Sequence, residues 1–157
     1  MKLMDFFCCD AVIPELRSTD RDGVIRELIG SLAESGTIAP DDVEPIVNIA
    51  IRREKEGSTG FGKGVAVPHV KYAGAKKMMA TIGRSSVGVD FAALDRGPVY
   101  TVVLLISPKD DPDAHLAAME QIFRHLQRDN FRRFLRQAET KEAIVDLIQE
   151  ADELSVG

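Results

Sequence analysis

One histidine, His69, closes the run GSTGFGKGVAVPH at residues 57–69, behind a glycine-rich loop, a short apolar stretch and a proline. A neutral imidazole is a competent nucleophile near pH 7, because its ordinary pKa is about 6.5. Attack on phosphorus asks a protein for positioning and for neutralisation of the phosphoryl oxygens, with little covalent work beyond that. The residues for this are close in sequence. Glycines at 57, 60, 62 and 64 let backbone N–H groups approach an anion. Ser58 and Thr59 offer hydroxyl donors, Arg53 a charge-assisted bond, and Pro68 stiffens the backbone before His69. His115, near the start of a predicted helix, is expected to stay neutral there and to donate one N–H to the phosphoryl group or to the His69 ring. Taken singly, each of these residues has an ordinary structural reading, as a helix-end charge, a capping group or a surface ring. Together they point to phosphoryl chemistry. No cofactor and no metal site is expected.

The same loop nearly spells the nucleotide-binding pattern G-x-x-x-x-G-K-[ST], but the last position is Gly64, so no hydroxyl is available for Mg²⁺. The loop also follows a predicted helix and leads into a strand, the reverse of what phosphate binding at a helix N-terminus requires. Nucleotide binding is therefore rejected. Cys8 and Cys9 are adjacent, unsuited to relaxed disulfide geometry, and lack a second pair for zinc. They read as small apolar residues near the first strand, with a redox role as the alternative. His125, between Arg124 and Arg128, is expected to be solvated.

The elements that must position these groups follow from pattern. Ser18, Thr19 or Asp20 caps a helix carrying Val24, Ile25, Leu28, Ile29 and Leu32, with Gly36 as its stop. A second helix opens at Asp41 or Asp42, tolerates Pro45 in its first turn, buries Val43, Ile46, Val47, Ala50 and Ile51, and ends in Arg52–Glu56 before the loop. Strands are expected at 65–67, 78–83 and 99–106, with 11–16 as an edge strand and 88–91 as a turn. Asp111 and Pro112 start a helix with a buried stripe of Leu116, Met119, Ile122, Phe123 and Leu126. A short helix around Phe131, Phe134 and Leu135 and a last one capped by Thr140, packing Ile144, Leu147 and Ile148, complete the chain. The 157 residues read as one layered α/β domain over 1–157, a mixed β-sheet flanked by helices on both faces, with 1–10 as an N-terminal extension or first strand.

The formal net charge of −5 argues against general affinity for nucleic acid or anionic membranes, and no apolar run is long enough to span a bilayer. The N-terminus lacks the pattern of a signal peptide, so a cytoplasmic location and no membrane insertion are expected.

Residues 53–69 resemble the active-site signature of enzyme IIA of the bacterial phosphotransferase system, in its mannitol/fructose-type branch, which includes the nitrogen-regulatory IIA proteins. The resemblance continues through residues 88–95, 102–108 and 113–116 and covers nearly the whole chain. It implies that His69 takes a phosphoryl group at Nε2 from an HPr-like donor, that His115 and Arg53 match the second active-site histidine and the arginine before the loop, and that Thr59 faces the phosphate. It also implies a mixed sheet between helices, with the histidines at the sheet edge beneath an exposed apolar docking rim; Phe61, Val65 and Val70 are the candidates for that rim. Two positions depart from the pattern. Val70 stands where the family usually has a small residue, and Ala114 where Glu is common. The N-terminal segment MDFFCC has no counterpart in the resemblance. The implied function is a phosphohistidine carrier that passes the group to a IIB acceptor, or uses it as a regulatory signal toward target proteins. The alternative is a purely regulatory binding module switched by phosphorylation of His69. A chain without an attached IIB or membrane segment fits the regulatory branch better.

Overall fold

A computed structural model describes residues 1–154. The backbone frame is a four-stranded mixed sheet built on β4 (Val99–Pro108), whose run of Val, Leu and Ile is that of a strand covered on both faces. Two short strands, β1 (Val65–Ala66) and β2 (His69–Tyr72), pair in parallel with successive parts of one edge of β4. Their registers, Val65 with Thr101 and His69 with Leu105, are offset equally, so β1 and β2 form one line interrupted at Val67 and Pro68. Proline has no N–H to donate to the ladder, which accounts for the break. Along the other edge runs antiparallel β3 (Met79–Val89), longer than the expected 78–83; it carries an irregularity between Arg84 and Val89 and absorbs the front of the predicted turn at 88–91.

Of the edge strand expected at 11–16 there is a single isolated parallel bridge, Ile13 with Gly83, and similar bridges join Phe7 with Ala80 and Asp20 with Asp90 on either side. Short 3₁₀ turns at Leu3–Asp5 and Cys9–Ala11 interrupt this segment. Phe6 and Leu3 are nonetheless buried, and Asp152 ties down the N-terminus by accepting from the N–H groups of Leu3 and Met4 at 2.7 and 2.9 Å. Cys8 and Cys9 are free and half-buried.

Helices α1 (Arg21–Glu34) and α2 (Val43–Glu56) cover one face of the sheet. The α1 cap is Asp20, which accepts from Gly23 N at 2.8 Å, and the chain turns away through Gly36 at φ +79°. Helices α3 (Pro112–Leu126), α4 (Asp129–Gln137) and α5 (Lys141–Leu154) cover the other face. Thr140 caps α5 by accepting from Ala143 N at 3.1 Å. Alternation along the strands divides the core: Ala66, Val70, Val102, Leu104 and Ile106 face α1 and α2, while Val67, Ala80, Ile82, Val103 and Leu105 face the α3–α5 layer.

The phase of α3 differs from the expected stripe. Its buried residues are His115, Ala118, Ile122, His125 and Leu126, whereas Leu116 is 61% exposed and Met119 and Phe123 are half-buried. His125 is thus a correction: it is 2% exposed, its ring packs 5.8 Å from that of Phe131, and it lies against Arg128. No helix among the described residues is long and apolar enough to cross a membrane.

Candidate active site

His69 opens β2, on the same side of the ladder as Val65, Val67 and Leu105. That phase turns its ring toward α3, whose first turns carry His115, and the two imidazoles lie 5.5 Å apart at 51°. The Nδ1 of His69 sits 2.9 Å from the carbonyl of Val67. A carbonyl only accepts, so Nδ1 carries the proton, and the lone pair of the neutral ring is at Nε2. Partial burial pushes the His69 pKa below its ordinary value, and the charges of Arg53 and Lys71 act in the same direction; the Val67 carbonyl and the Glu54 carboxylate oppose them.

His115 is held by a 2.7 Å bond between its Nδ1 and the hydroxyl of Ser107, a fully buried residue of β4. Its pKa is lowered to about 4, first by burial, then by the charges of His69 and Lys71. The ring is neutral at pH 7, as its helix position suggested, and burial is the largest cause. A hydroxyl can donate or accept; in the tautomer in which Ser107 donates to Nδ1, the proton of His115 is on Nε2.

The glycine loop connects α2 to β1. Arg53, in the last turn of α2, donates from a guanidinium nitrogen to the Gly57 carbonyl at 2.9 Å. Its neighbour Glu54 is only 3% exposed and accepts from the backbone N–H of Thr59 at 2.9 Å and from the Thr59 hydroxyl. Ser58 donates its hydroxyl to the Phe91 carbonyl at 3.3 Å and accepts from Gly60 N at 3.0 Å. Both hydroxyls expected at a phosphate therefore hold the loop in shape, and either would have to exchange a bond to reach an anion. Gly60 is required by space: a Cβ there would stand 2.9 Å from that of Ala93.

Of the three residues expected on a docking rim, only Phe61 is partly accessible, with its ring 5.1 Å from that of Phe123. Val65 and Val70 are 1% and 2% exposed. They are corrections, because neighbouring strands and helices cover both faces of the line they occupy. The exposed apolar side chains beside the site are instead Leu116, next to His115, and Leu94, whose N–H donates to the Gly60 carbonyl at 2.7 Å. Three contributors escaped sequence reasoning. Glu54 looked like one more charge at a helix end, and Ser107 like part of a buried strand. Lys71 had a legible signal, since two residues beyond His69 is the same face of a strand.

Comparison with known proteins bears on the family and the fold. The profile of the family described as "Phosphoenolpyruvate-dependent sugar phosphotransferase system, EIIA 2" matches residues 5–151, a span that takes in all but the first residue of the segment thought to lack a counterpart. A nitrogen regulatory protein of Pseudomonas aeruginosa is 36% identical over 107 residues, 68% of this chain and 70% of that protein. The fructose-specific EIIABC component of Bacillus subtilis is 30% identical over 152 residues, 97% of this chain but only 24% of the relative's own length. Among solved structures, the nitrogen regulatory protein IIA-Ntr of Neisseria meningitidis superposes with a TM-score of 0.81 at 24% identity, covering 92% of this chain and 97% of that one, a likeness of fold. With the profile spanning nearly the whole sequence and the fold in agreement, the chain belongs to the EIIA 2 family of the phosphoenolpyruvate-dependent sugar phosphotransferase system.

Proposed function

We infer that His69 is the phosphoryl acceptor of this EIIA domain and that the attacking atom is Nε2. The observation that carries the reading is the Nδ1–H bond to the Val67 carbonyl, which leaves the Nε2 lone pair as the free one beside His115. In the transfer, the N–P bond of a donor phosphohistidine breaks as the Nε2–P bond forms, and the bonding pair returns to the donor nitrogen. No proton need leave His69. Its Nδ1–H becomes a stronger hydrogen-bond donor as Nε2 binds phosphorus, and the Val67 carbonyl is already placed to accept that bond. His115 donates one N–H to the phosphoryl oxygens, Arg53 and Lys71 supply positive charge, and Ser58 and Thr59 act by holding the loop. The donor is an HPr-like phosphocarrier, and a cytoplasmic location goes with it.

The group is then passed to a IIB partner or kept as a signal. Phosphorylation adds about −1.5 to −2 charges. Placed beside Leu94, Leu116 and Phe61, that charge changes which partners the surface accepts, and the similarity to a nitrogen regulatory protein favours signalling as the outcome. Incubation with a phosphorylated HPr-like donor should add one acid-labile phosphate, mapped to His69 by mass spectrometry and absent from His69→Ala; full labelling of that variant would refute the assignment. Capture of the same partners by both phosphorylation states would refute the signalling role.

A further inference from the structure

The chain is acidic, yet residues 124–136 hold five arginines against a single acidic residue, Asp129. Helix α4 projects part of this charge into an open groove of about 500 Å³ between itself, the start of β4 and the turn at 63–65. Lys63, Tyr100, Arg132, Arg133 and Arg136 line it, and Arg133 and Arg136 continue into a neighbouring depression beside Arg84 and Ser86. In the ladder, β1 at this end lies four residues before His69, about 13 Å at the usual strand rise. The groove is therefore separate from the phosphoryl-transfer site.

The arginines are not equivalent. Arg132 donates to the Leu126 carbonyl and pairs with Asp129, which removes both from the charge balance. Arg136 makes no hydrogen bond or ion pair through its guanidinium among the described residues. Its carbon lies 3.6 Å from the centre of the Tyr100 ring, and its backbone carbonyl accepts from Arg84 Nε at 2.7 Å. Stacking and that backbone bond fix the fork while leaving its N–H donors open. Arg133 is exposed and, among the described residues, engages only the Asn130 side chain and the face of Phe134. Lys63, exposed, adds a third cation from the turn. A held guanidinium fork with free donors suits the oxygens of a phosphate or carboxylate.

We propose that this groove is a binding site for a small polyanion, a phosphorylated or polycarboxylated metabolite gripped by Arg133, Arg136 and Lys63. Its size is that of a small-molecule site. Asp95 also lines the groove and Glu139 the neighbouring depression, so a long anionic strand or peptide running through both would meet like charge, which a compact anion on the arginines meets less.

Pyrophosphate and citrate, titrated separately at constant ionic strength into the ¹⁵N-labelled chain, test this. The expected result is a saturable shift of the Lys63, Gly97, Tyr100 and Arg133 amides with at least one of the two anions, weakened about tenfold or more in Arg133→Ala/Arg136→Ala, retained in part in Arg136→Lys, and unchanged in His69→Ala. A response to pyrophosphate alone assigns a phosphorylated ligand, and to citrate alone a polycarboxylate. The double variant should still accept phosphate on His69, so this test is independent of the phosphoryl-transfer reading. Shifts centred on His69 and abolished in His69→Ala would overturn the proposal, as would no saturation by either anion, equal affinity in the double variant, or tight binding of poly-U RNA or polyglutamate in place of the small anions.

Discussion

Glu54 gives the sharpest test of how the loop is held. Its carboxylate is buried in the last turn of α2, where the helix dipole does not favour a negative charge, and it accepts two bonds from one residue, Thr59. Glu54→Ala leaves a buried backbone N–H and a buried hydroxyl without that acceptor. Hydrogen bonds to a charged group are each worth about 1.5–3 kcal/mol, so the loss should come to about 3 kcal/mol. For a chain of this length, that corresponds to a fall of roughly 10 °C in melting temperature. Glu54→Gln separates bonding from charge. Its carbonyl can accept from Thr59 N while its NH₂ donates to the Thr59 oxygen, so both contacts survive and stability should stay within about 1 kcal/mol of the parent. The Gln variant still removes the carboxylate that holds up the proton affinity of His69, so the His69 ring should titrate at lower pH. Urea denaturation, thermal melts and an NMR titration of the imidazole resonances measure all three effects. An Ala variant as stable as the parent, or a Gln variant as unstable as the Ala variant, refutes the argument.

Two further outcomes follow from the same geometry. Because the folded-state pKa of His115 is about 4, below its ordinary 6.5, the native state binds the proton less well than the unfolded chain. The stability this ring contributes is intact above pH 6.5 and falls away toward pH 4, by up to about 3 kcal/mol. His115→Gln should show a shallower acid-side loss in denaturation curves taken at pH 7, 5.5 and 4.5, and an identical slope would contradict the assignment. Gly60→Ala places a methyl 2.9 Å from the Ala93 Cβ and 3.1 Å from its Cα, so it should cost about 1–3 kcal/mol and slow labelling of His69. Unchanged stability in urea would show that the loop can give way there.

Much of the site could be read from the chain because most of it is contiguous: α2, the loop and the Pro-His step lie within residues 43–69, and their order fixes where Arg53, the glycines and His69 fall. What failed had physical causes. Val65 and Val70 were candidates for the docking rim that the resemblance implies, but helices pack on both faces here and leave neither side of the strand in water. The stripe assigned to α3 was out of phase because its histidines were counted as polar. Once His115 and His125 are placed inside, the buried set at 115, 118, 122, 125 and 126 is a good helical repeat, and Leu116 turns outward. Ser107 could not be singled out at all, since its role depends on a ring eight residues away across a turn.

The interrupted strand ties these observations together. Because β1 and β2 keep one register across Pro68, Val65, Val67 and His69 share a face, and that face belongs to α3. A slip of one residue would send His69 into the α1–α2 core and bring Val70 to the histidine of α3, so the register itself selects the nucleophile. The alternation of an edge strand turns the polar groups of Val67 away from β4, its N–H to the Thr59 carbonyl and its own carbonyl to the His69 ring, while the Pro68 carbonyl faces the ladder and accepts from Leu105 N at 3.0 Å. One carbonyl leaves the sheet to fix a tautomer, the next restores the sheet, and the imidazole between α3 and the loop is thereby given a single available lone pair.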